Sequence, residues 1–132
     1  MITPNRGLLA PSVKITRDDL VDLAKTDIDP CAEEFRRPVQ RDAMALAQAL
    51  GPRGEPVLLG SIATSKYVDV LLSAFPQDLL FPTDFVGRGD MSRGGLLLRS
   101  IDAYAELAYV PVRGAVLRGA RPPKLPPRSA RA

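Results

Sequence analysis

Apolar residues recur at helical spacing along much of the chain. Val39, Ala43, Leu46, Ala47 and Leu50 stand at i, i+4, i+7, i+8 and i+11, which is one face of a helix. Pro38 suits the first turn of that helix, and Gly51-Pro52 ends it. Val68, Leu71, Leu72 and Phe75 repeat the pattern behind a cap at Thr64 or Ser65, and Pro76 stops it. A further helix is predicted from Asp90 to Tyr104, with Met91, Gly94, Leu98 and Ile101 as its inward face. A shorter one precedes all three. Thr16 caps it, Asp19 stands three residues on, Leu20, Leu23 and Ala24 make its apolar face, and it ends by Thr26.

Between the helices lie short apolar runs of the kind expected of buried strands. Val57-Leu58-Leu59 is one, "DLLFP" (78–82) a second and "ELAYVPV" (106–112) a third. Pro111 places the last at an edge or at a strand end. The lead is irregular, with a short strand predicted near Ser12–Ile15. Helices alternating with buried strands predict an α/β fold. The expectation is a small two- or three-layer domain with a short, mostly parallel sheet of three to four strands and about four helices. So thin a sheet also suggests pairing with another copy or a partner protein. Residues 1–112 read as this single domain, and residues 113–132 as a basic, proline-rich, partly disordered tail.

Composition narrows the chemistry. The 132 residues are 45% hydrophobic with a mean hydropathy of −0.01, as in a soluble globular chain. No run reaches the ~18 apolar residues of a membrane span, and no signal peptide is evident, so a cytoplasmic protein without membrane partners is expected. Cys31 is the only cysteine and there is no histidine. This excludes the usual zinc sites and Ser-His-Asp or Cys-His catalysis. No metal site is expected, and no cofactor is indicated. Four Phe, three Tyr and no Trp supply a base-stacking surface poorly.

Charge is unevenly placed. Up to residue 112 fifteen acids face twelve cations, a net of −3, whereas residues 113–132 carry six cations and no acid. That end reads either as a solubilising tail or as an arm for nucleic acid or another acidic partner. Its "PPKLPP" contains P-x-x-P, which in such a composition is weak evidence of an SH3-like partner.

"DFVGRGDMSRGGLLLR" (84–99) concentrates four glycines, three arginines and two aspartates. In open parallel sheets, ligands lie beyond the carboxyl ends of the strands. Two loops leave that predicted edge and enter helix N-termini, which favour anions. The first offers Gly60 for close approach, hydroxyls at Ser61, Thr64 and Ser65, and then Lys66. The second offers the guanidinium forks of Arg88 and Arg93, with Gly89 between them. Asp84 and Asp90 are the candidate acid or base. Simpler readings stand beside these: an ordinary strand–helix turn at Gly60, a helix cap at Asp90, and an Arg88–Asp90 surface pair. Neither a Walker A loop nor a clean G-x-G-x-x-G is present. The leading expectation is binding of a phosphorylated or nucleotide-like small molecule between the two loops. The alternative is a non-catalytic module that docks a protein partner or nucleic acid through the basic tail.

The blocks "LLGSIATSKYVDVLL" and "LLFPTDFVGRGDMSRGGLLLR" resemble a bacterial protein family of unassigned function, over roughly Arg37 to Pro127. The resemblance implies a bacterial cytosolic origin and one architecture containing both loops. It implies no activity and no residue role.

Overall fold

Thr16 starts the first helix, α1 (Arg17–Leu23), by the reciprocal bonding its sequence predicts. The Thr16 hydroxyl accepts from the Asp19 N–H at 3.2 Å, and the Asp19 carboxylate accepts from the Thr16 N–H at 2.8 Å. The computed structural model describes residues 1–128.

The second helix, α2 (Glu33–Leu50), begins five residues before Pro38 rather than at it. A proline in the second turn removes one backbone hydrogen bond. Against that, Glu33 and Glu34 complement the helix dipole, and Phe35 adds a fully buried anchor one turn earlier. Phe35, Val39 and Ala43 then form one buried row. The third helix, α3 (Ser65–Leu72), presents Val68, Val70 and Leu71 to the same core.

The sheet differs from expectation. Among the described residues it has two strands, β1 (Leu80–Pro82) and β2 (Tyr109–Pro111), and they are antiparallel, with Phe81 opposite Val110. The run at Val57–Leu59 supplies a single parallel bridge, Val57 to Leu80. No strand forms at Ser12–Ile15; the lead makes an isolated antiparallel bridge, Ile2 to Leu8. Among the described residues the fold is therefore helix-dominated, with four helices against two short strands, not a three- or four-stranded parallel sheet. Prolines account for much of this. Pro56, Pro82 and Pro111 sit at or beside the paired residues and cannot donate to a ladder, so each ladder stays short.

Phe35, Phe81, Phe85, Leu79 and Val39 are the largest fully buried apolar side chains among the described residues, Pro82 aside. They form one cluster that joins α2 and α3 to β1. A 3-10 turn, Thr83–Phe85, follows β1 and sends Phe85 into that cluster.

The last helix, α4 (Asp90–Ala103), starts where predicted and ends one residue short, with Tyr104 as its C-cap, but turns a different face inward. Leu96 and Leu97 pack on the core, whereas Met91 (91% exposed), Leu98 and Ile101 (67% exposed) face outward. The inward turn also includes Arg93, whose side chain is only 11% exposed. A third flank lies beneath the segment 119–128. There Gly95 approaches Leu125, Arg99 donates to the Pro126 carbonyl, and Asp102 pairs with Arg128 at 2.7 Å. Nearby, Arg118 Nε donates to the Ala63 carbonyl at 2.7 Å.

Candidate functional site

The one parallel bridge, Val57 to Leu80, decides where the loops fall. It makes residues 57 and 80 run side by side, so the chain leaves both at the same end. One exit becomes the loop 60–64 that leads into α3. The other becomes the 3-10 turn and the loop 86–89 that leads into α4.

A groove of about 1450 Å³ opens at this end. Gly60, Ser61, Thr64 and Lys66 line it from the first exit, and Asp90, Arg93 and Gly94 from the second. The lead closes one side through Ile2 and Leu8–Pro11, and α2 closes another through Ala45, Leu46 and Ala49. The lining is mainly apolar, with the polar groups concentrated around the starts of α3 and α4. Neither helix has a side chain bonded at its N-cap, Thr64 or Gly89. Their first N–H groups are therefore not satisfied by a capping side chain.

Four of the seven predicted ligand-binding residues, Gly60, Ser61, Thr64 and Arg93, share this groove, and so does Asp90 of the two candidate acids. Ser65, Gly89 and Asp84 do not line it. Arg88 points elsewhere. Its Nε donates to the Asp84 carbonyl at 2.8 Å and its Nη1 to Ser92 Oγ at 3.1 Å, and it lines a smaller cavity of about 310 Å³.

Arg93 is already engaged. Its Nη1 donates to the Arg88 carbonyl at 2.7 Å, its Nη2 pairs with Asp90, and its guanidinium lies over the Phe85 ring. It thus ties the first turn of α4 to the preceding loop. Asp42, the other acid on the groove, pairs with Arg41 at 2.7 Å and accepts from the Leu8 N–H at 2.9 Å. The Arg41 guanidinium, with help from that N–H, holds Asp42 below the usual carboxylate range. Both carboxylates that line the groove, Asp42 and Asp90, are therefore ion-paired.

The sequence reading missed the walls. Ala45 and Ala49 lie outside the strongest helical period of α2, Leu46 belongs to it but faces the groove, and the apolar lead has no period at all. The available signal was the surplus of apolar residues on α2 beyond one face.

No family model, curated protein or solved structure matches the chain. Among the described residues, no helix is long and apolar enough to cross a membrane.

Proposed function

We propose that the groove binds a phosphorylated or nucleotide-like small molecule. The anion lies at the start of α3 and the less polar portion lies along Leu58, Leu59 and the α2 wall. The supporting observation is the side-chain-uncapped N-terminus of α3 opening beside Ser61, Thr64 and Lys66 on a large apolar groove. In this reading Arg93 positions α4 and does not grip the ligand. Asp84 and Asp90 have no chemical step, and binding rather than turnover is the function. The setting is cytoplasmic, in keeping with a single, exposed, unpaired cysteine.

A thermal-shift screen of nucleotides and sugar phosphates tests this, with Ala45→Trp to fill the groove and Lys66→Ala to remove its cation. Both positions are exposed, so neither change opens the core. Stabilisation by at least one compound, lost in Ala45→Trp and weakened in Lys66→Ala, is expected. Stabilisation that survives Ala45→Trp would place the ligand elsewhere.

The exposed apolar stripe of α4 favours a second reading, docking on a second copy of this chain. This reading requires the sedimentation mass to rise with concentration in the unaltered chain and not in Leu98→Glu.

A further inference from the structure

The cavity of about 310 Å³ lies on the opposite flank of α4 from the groove, between that helix and residues 121–125. Arg88 and Arg99 line it from the body of the protein, and Arg121 and Lys124 from the proline-rich segment. Ser92 adds a hydroxyl, and no acidic residue contributes to the lining among the described residues.

We propose that this cavity is a binding site for a polyvalent phosphate of the diphosphate class. Four cations around one small cavity repel one another, and the repulsion grows as the surroundings become less polar. Pro122, Pro123 and Leu125 make one wall of it apolar. Nothing in the described structure neutralises the four charges. Arg88 bonds only to a carbonyl and a hydroxyl. Arg99 bonds only to the carbonyls of Gly95 and Pro126. Arg121 and Lys124 form no ion pair with a described residue. The acids of α4 are used elsewhere: Asp90 pairs with Arg93, and Asp102 with Arg128.

The neutral bonds have a second effect. They hold both guanidinium groups in place while leaving other N–H donors and the full charge available. This is the preorganised fork that suits phosphate oxygens. The size of the cavity sits at the small end of ligand sites. A compact ligand with several charges fits it, whereas a nucleic-acid backbone spreads its charge along an extended strand. Because two cations come from the body and two from the segment 121–125, a bound diphosphate would fasten one to the other.

Calorimetric titration with inorganic pyrophosphate tests the proposal, with orthophosphate as the comparison. Pyrophosphate should bind at least tenfold tighter than orthophosphate. Arg121→Ala/Lys124→Ala should weaken it at least tenfold, and both side chains are exposed and unbonded, so folding is not at stake. Pyrophosphate should also slow tryptic cleavage after Lys124 in the unaltered chain. Ala45→Trp, which fills the other groove, should bind pyrophosphate unchanged, so a failure of either site is read separately. Equal affinity for the two anions, or an unchanged affinity in the double variant, would overturn the proposal.

Discussion

The Arg93 guanidinium carbon lies 5.9 Å from the centre of the Phe85 ring, so a cation at the start of α4 rests on an aromatic ring of the core. The same side chain donates to the Arg88 carbonyl and pairs with Asp90, which is 93% exposed. Most of its worth should come from the carbonyl bond and the ring, because exposed ion pairs contribute little. Arg93→Ala should therefore destabilise the fold by about 2 kcal/mol, whereas Asp90→Asn should cost under about 0.5 kcal/mol. Arg93→Lys should recover less than half of the loss, since an ammonium lacks the planar fork. Urea denaturation of the three variants measures the ranking, and equal losses for Arg93→Ala and Asp90→Asn would contradict it.

The orientation of α4 makes a second prediction. Leu98→Glu and Ile101→Glu replace outward-facing side chains and should change stability by no more than about 0.5 kcal/mol. Leu97→Ala, one position away from Leu98, should cost about 2 kcal/mol through lost packing. A large loss for Leu98→Glu in dilute, monomeric protein would restore the inward face that helical spacing alone predicts.

Two glycines separated by one turn and a loop should respond oppositely to alanine. Gly87 has φ +74°, and a Cβ there would overlap the Ala120 carbonyl oxygen. Gly87→Ala should cost at least about 1–2 kcal/mol from the backbone alone, and should expose the segment after Ala120 to protease. Gly94 lies inside α4 with nothing within 4 Å of such a Cβ. Gly94→Ala should stabilise by up to about 1 kcal/mol through helix propensity. Thermal melts of the pair, with limited proteolysis of the first, are sufficient readouts.

The capping box of α1 carries a pH dependence. The Thr16 N–H, followed by the Arg6 guanidinium, lowers the Asp19 carboxyl from 3.8 to about 2. A folded pKa below the unfolded one gives stability that is complete above the unfolded value and is lost as pH falls through the folded value. The advantage of the unaltered chain over Asp19→Ala should be constant at neutral pH and should fade between roughly pH 4 and pH 2. Urea midpoints at pH 7, 4 and 2.5 would show it. A difference independent of pH would mean that the carboxylate charge is not what matters.

Local chemistry was legible where it acts over a few residues. The Thr16–Asp19 pair follows from capping, because both bonding partners lie within one turn, and the extent of α4 follows from periodicity. Strand direction was not legible. Runs as short as Leu80–Pro82 carry no directional signal, and the path from β1 through α4 to β2 is long enough for either sense. The face of α4 was misread because the helix is apolar on more than one side, so spacing alone does not rank Leu98 against Leu97. Gly60, Ser61, Thr64, Asp90 and Arg93 still share one groove, because a single parallel bridge is enough to set both loops at one end. Arg88 and Arg93 diverge because five positions along the chain, across the first turn of a helix, turn their side chains to different flanks.

The central place of β1 also constrains how the chain can fold. Leu80 bonds to the chain on either side of Val57, while β2, thirty residues downstream, pairs with its other edge. The Leu79 carbonyl accepts from the N–H of Val112, itself a buried residue. Closing the core therefore waits for contacts across long separations, which slows assembly relative to a purely helical bundle. A chain emerging from the ribosome holds Leu79 and Phe81 without their last cover until Val112 arrives. The helices can form early, but the molecule becomes native only when its final strand is in hand.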